Sequence, residues 1–76
     1  MTAKEMFIDL NFKQYSNERV IEYIDIFNTD FHITFYLIEK VISGNQTYDY
    51  VCDIKMLQAI NKQVEELGWN NEKTNL

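Results

Sequence analysis

Two runs of β-type sequence stand only three residues apart in this chain, and that interval leaves one way to connect them. "VIEYIDIF" (20–27) is rich in β-branched and aromatic residues, and "FHITFYLIEKVI" (31–42) follows after "NTD". Such a gap predicts a tight antiparallel hairpin. At "SGNQ" (43–46), Gly44 or Asn45 can take positive φ, and "TYDYVCDI" (47–54) then alternates with period two. The three strands read as a meander.

The period changes on either side of the meander. Thr2 followed by Glu5 is a capping-box pattern, and Ala3, Met6, Phe7 and Leu10 recur at helical spacing, which predicts a short first helix. "NFKQYSNER" (11–19) then breaks the period, with Phe12 and Tyr15 expected to tuck against the body of the domain. In "KMLQAINKQVEELGW" (55–69), Leu57, Ile60, Val64 and Leu67 share a helical face flanked by Met56 and Gln63, with Asp53 or Ile54 before the first turn. Gly68 suits the left-handed position after a helix, with Trp69 packing back on Val64. The expectation is a single α+β domain over residues 1–70, in the order αβββα, with a frayed polar tail over 71–76.

Composition narrows what such a domain can do. A chain of 76 residues fits one core, and the single cysteine, Cys52, excludes an internal disulfide. Twelve acidic against seven basic residues give a net charge of -5, which disfavours binding to phosphate backbones. No window approaches the length of a membrane span and "MTAKEMFIDL" is not a secretory signal, so the expected location is the cytoplasm, with no membrane partner.

Strand register decides which residues share a face. A four-residue loop after Ile42 sets Ile42 opposite Thr47, Val41 opposite Tyr48, Leu37 opposite Cys52 and Phe35 opposite Ile54, a strongly apolar face. For the first hairpin, one register places Asp25 beside Ile33 in the core, whereas another pairs Ile24 with Phe35 and Ile26 with Ile33. The second avoids burying a lone carboxylate, a cost of several kcal/mol. It turns Tyr23, Tyr36, Ile21, Ile38, Phe27, His32, Asp25 and Thr34 to the other face, joined by Asp49, Val51 and Asp53, with Lys40 opposite Asp49. Half of that face is apolar or aromatic, so something should cover it. Either an internal helix or residues 11–19 cross it, or both helices pack on the apolar face and leave Tyr23, Tyr36, Ile38 and Val51 as a contact patch.

Catalytic constellations do not assemble. Alternation sends Cys52 inward and His32 outward, so no thiol and base meet. Asp25, Asp49, Asp53 and Glu22 match no metal loop, and both glycines are already assigned to turns, so no metal, cofactor or phosphate loop is expected. Acids beside Tyr23 and Tyr36 could instead imitate nucleic-acid phosphates and occupy a basic groove of a protein.

"EMFIDLNFKQY", "HITFYLIEK" and "LQAINKQVEELGW" together resemble short acidic proteins encoded by phages and prophages of Gram-positive bacteria. The resemblance implies an accessory protein of a phage or mobile element in the bacterial cytoplasm, and it carries over no catalytic residue. Some proteins of this size and charge in that setting inhibit host defences, anti-CRISPR proteins among them. The expectation for this chain is therefore non-catalytic protein binding through Tyr23, Asp25, His32, Tyr36, Ile38, Asp49, Val51 and Asp53. The partner is a host protein or a second copy, as a homodimer on the outer face or by pairing along the edge strands 20–27 and 47–54.

Overall fold

Thr2 and Glu5 do what their spacing requires. In the computed structural model, which describes residues 1–45 and 53–71, helix α1 (Ala3–Asp9) starts at a complete capping box. The Glu5 N–H donates to Thr2 Oγ1 at 3.1 Å and the Thr2 N–H donates to Glu5 Oε1 at 2.8 Å. The Thr2 N–H foremost, and then the Thr2 side chain, hold the Glu5 carboxyl below its usual range. A third N-terminal donor, Ala3 N–H, is satisfied by Glu66 Oε2 at 2.7 Å, which joins the start of α1 to the end of the second long helix.

Four strands follow: β1 (Phe12–Ser16), β2 (Val20–Asp25), β3 (His32–Tyr36) and β4 (Val41–Asn45), in the order β1-β2-β3-β4, all neighbours antiparallel. Helix α2 (Ile54–Glu66) and a 3-10 turn (Trp69–Asn71) complete a single α+β domain. The expected order αβββα thus gains a strand, β1, inside the stretch read as a break. Asn17 explains it: its Oδ1 accepts from the N–H groups of Arg19 and Val20, at 2.7 and 3.0 Å. The asparagine that interrupts helical spacing is the turn of a β1–β2 hairpin.

The long strand expected over 31–42 is also corrected. It divides at a turn, 37–40, where Lys40 takes φ 58° and its N–H donates to Tyr36 O at 2.8 Å. The cause is the length of its neighbour. β2 begins at Val20, Leu37 N–H takes the last carbonyl on that side from Arg19 at 2.8 Å, and beyond this a straight strand has no ladder to join. Ser43, Gly44 and Asn45 therefore lie in β4, not in a turn, and Phe35 pairs with Ile42 rather than with Ile54. Of the third strand expected over 47–54, residues 47–52 lie outside the described residues, Asp53 caps α2 and Ile54 begins it.

Register in the first expected hairpin differs too. Ile21 lies opposite Phe35, Tyr23 opposite Ile33 and Ile24 opposite His32, an offset of three residues from the pairing of Ile24 with Phe35. An odd offset exchanges the faces of β2, so Tyr23 enters the core and Ile24 leaves it. Asp25 does belong to the core-facing row, but a two-residue slide from the rejected register carries it past Ile33 to the strand end. There its Oδ1 accepts from the N–H groups of Phe27 and Asn28, at 2.8 and 3.2 Å, and the carboxylate shapes the next loop at no desolvation cost to the core.

Both helices pack on this one face. The Phe7 ring lies on Tyr23 with centroids 3.8 Å apart and 15° between planes, and meets Phe12 and Phe35 edge-on at 5.6 and 6.4 Å. Burying one such side chain stabilises by about 1.5–3 kcal/mol. From α2, Met56 and Ala59 join the cluster and Gln63 is buried beside it, while Ile60, Val64 and Leu67 are partly covered. The helix is therefore rotated from the face expected on Leu57, which is exposed. Tyr23 supplies the reason: its hydroxyl donates to Gln63 Oε1 and accepts from Gln14 Nε2 at 3.0 Å, so the buried polar side chain is the one with a partner. Gly68, with φ 75°, ends the helix in the left-handed position as its sequence predicts, and Trp69 then reaches Phe35, ring centroids 6.2 Å apart.

Candidate protein-binding face

Strand alternation dictates the composition of the opposite side of the sheet. It presents Lys13 and Tyr15 from β1, Val20, Glu22 and Ile24 from β2, His32, Thr34 and Tyr36 from β3, and Val41 and Ser43 from β4. Among the described residues no helix covers it. Tyr15, Tyr36 and Val41 are 49%, 37% and 50% exposed, while Val20 and Ile24 are half-buried.

A small polar cluster sits in the middle of this face. Glu22 Oε2 accepts from Thr34 Oγ1 at 3.1 Å and faces His32 Nδ1 at 3.3 Å, and His32 Nε2 lies 2.8 Å from Thr29 O. Both ring partners of His32 are acceptors, so the imidazole is fixed between β2 and the loop after it. At one edge, Lys13 Nζ stands 5.3 Å from the centre of the Tyr15 ring, a cation–π contact. Apolar flanks with a polar centre form a surface suited to a protein partner, because Glu22, His32 and Thr34 already have partners within the chain when water is removed.

The residues picked from the sequence are only partly brought together. His32 and Tyr36 lie on the outer face. Tyr23 does not: it is fully buried, and burial pushes its phenol above the usual value, opposed by the Gln14 hydrogen bond. Asp25 shapes the β2–β3 loop, Ile38 is exposed in the 37–40 turn, and Asp53 accepts from Met56 N–H at 2.9 Å as the cap of α2. Asp49, Val51 and Cys52 lie outside the described residues. Lys13, Tyr15, Val20, Glu22, Ile24, Val41 and Ser43 are the outer-face residues that sequence reasoning missed. The signal for Tyr15 was present, since Phe12, Gln14 and Ser16 alternate with Lys13 and Tyr15 in "FKQYS".

Among the described residues no group of histidine, cysteine and carboxylate side chains could hold a metal ion, and no helix is long and apolar enough to cross a membrane. A groove of about 290 Å³ opens elsewhere, between α1 and α2, lined by Met6, Asp9, Leu10, Lys55 and Gln58. No family model, curated protein or solved structure matches the chain.

Proposed function

We propose that this chain is a non-catalytic accessory protein, of the phage or mobile-element kind its sequence resembles, that works in the bacterial cytoplasm by binding another protein through the outer face of its sheet. One observation carries the reading: both helices pack on the same side, so Tyr15, Val20, Ile24, Tyr36 and Val41 remain around the Glu22–His32–Thr34 cluster. Aromatic side chains rimmed by satisfied polar groups are what recognition surfaces are made of.

Charge favours a second, narrower reading. From Val20 to Glu39 the chain holds Glu22, Asp25, Asp30 and Glu39 and not one lysine or arginine. A host protein with a basic nucleic-acid groove would be attracted to that segment, and the chain would then act as an inhibitor by imitating phosphates.

Affinity purification from a bacterial lysate at low and high salt tests both. A protein retained by the wild type and by a control with Asn61→Asp, at an exposed position of α2, but lost with Tyr36→Asp, supports the outer face. Equal recovery with Tyr36→Asp would overturn it. Recovery that collapses above about 0.5 M salt, where the screening length is only a few ångströms, favours the inhibitor reading.

A further inference from the structure

The loop between β2 and β3 is closed by four hydrogen bonds and yet displays large apolar side chains to water. Asp25 Oδ1 accepts from Phe27 and Asn28, Asp25 N–H donates to Phe31 O at 3.1 Å, and Phe31 N–H donates to Asn28 O at 2.9 Å. Within this frame Phe27 is 80% exposed and Ile26 is exposed beside it. A rigid turn that presents an aromatic ring loses little conformational entropy when the ring enters a pocket.

A pocket of the right size opens at the same end of the molecule. Ile26 N–H donates to Asn11 O at 3.0 Å, which places the loop against the residue after Leu10. Leu10, with Met6 and Asp9, forms one wall of the groove, and Lys55 and Gln58 from the first turns of α2 form the other. Its volume of about 290 Å³ exceeds the roughly 150 Å³ that suffices to enclose a benzene ring. Ile54, the first residue of α2, is exposed at the same end. A projection and a recess side by side on one surface are self-complementary under a twofold rotation.

Charge selects which wall of the recess the projection faces. Asp25 and Asp30 flank the projecting ring in sequence; the α1 wall of the recess carries Asp9, which would repel them, and the α2 wall carries Lys55, which makes no ion pair among the described residues. We propose that this end is a self-association surface, on which Phe27 of each copy enters the α1–α2 groove of the other and Lys55 of each faces Asp25 and Asp30 of the other. The surface is separate from the outer face of the sheet, so a dimer formed here displays two outer faces to partners.

Light scattering coupled to size exclusion, over a concentration series of the full chain, tests this. The wild type is expected to pass from monomer to dimer. Phe27→Ser and Lys55→Glu, both at exposed positions and so expected to melt as the wild type does, should raise the dissociation constant about tenfold or more. Lys55→Glu combined with Asp30→Lys should restore association. Three outcomes would overturn the proposal: a monomer up to millimolar concentration, a dimer that survives Phe27→Ser, or a dimer that only Tyr36→Asp dissolves. The last would place self-association on the outer face.

Discussion

Tyr23 donates its hydroxyl proton to Gln63 while its ring lies flat on Phe7, so one side chain fastens the middle of the sheet to both helices. Its oxygen also accepts from Gln14, which gives a chain of three residues from β1 through β2 to α2. Removing the hydroxyl leaves the buried Gln63 amide without its partner and takes one from the half-buried Gln14. Tyr23→Phe should therefore destabilise by about 1–3 kcal/mol, the cost of leaving buried polar groups unpaired. Pairing it with Gln63→Leu should recover part of that loss, and urea unfolding of the two singles and the double gives the coupling directly.

The same phenol predicts a response to alkali. Burial raises the pKa of Tyr23 above its ordinary value near 10, so the unfolded chain releases this proton more readily than the folded one. The stabilisation is complete below pH 10 and declines as pH rises through the folded-state value. Urea midpoints measured from pH 8.5 to 11.5 should fall more steeply for the wild type than for Tyr23→Phe. Parallel slopes would mean that Tyr23 ionises in the fold as it does in water.

Acid acts at the other end of α1. The Glu5 carboxyl is held below its usual value of 4.5 chiefly by the Thr2 N–H, so the capping box contributes above that value and is lost as pH falls through the lowered one. Thr2→Ala removes the reciprocal bond and should cost about 1 kcal/mol at neutral pH. Glu5→Gln removes the titrating charge itself, so its difference from the wild type should shrink in acid, as seen by thermal melts at pH 7 and pH 3.

Helix ends and periods were legible in the sequence because each rests on neighbours a few residues apart. Thr2 with Glu5, Asp53 before α2 and Gly68 after it all act where their spacing put them. Face and register were not legible, because they depend on where a strand's partner stops. "FHITFYLIEKVI" has no breaker at 37–40, and only the start of β2 at Val20 makes it turn. Asp25 misled for a related reason: avoiding a buried carboxylate is sound, but sliding the strand by two residues satisfies it as well as changing faces does. That choice of parity sent Tyr23 to the surface on paper and hid Glu22 and Ile24.

The two glycines should respond to alanine with opposite signs. Gly68 stands at φ 75°, so a side chain there strains the backbone although nothing lies within 4 Å of the added Cβ, and Gly68→Ala should cost about 1 kcal/mol. Gly44 is in β4 without positive φ and with equal room, so Gly44→Ala should stabilise by about 0.5 kcal/mol through the unfolded chain. Differential scanning calorimetry resolves such changes, since 1 kcal/mol moves the midpoint of a chain this size by about 4–8 °C.

Tyr36 and Val41 face each other across β3 and β4 on the uncovered side, and both are more than a third exposed. An aspartate at either position disturbs few contacts within the chain, so each variant should stay within about 1 kcal/mol of the wild type. The same carboxylate pressed into the apolar part of an interface loses its hydration, and each variant should weaken the partner complex by tenfold or more. Asn61→Asp, at an exposed position of α2, changes charge equally and should leave that complex intact. Binding measured by calorimetry with the purified partner separates the two faces: loss with Tyr36→Asp and Val41→Asp alone fits a sheet-face interface, and equal loss with Asn61→Asp would mean that net charge, rather than this face, drives the association.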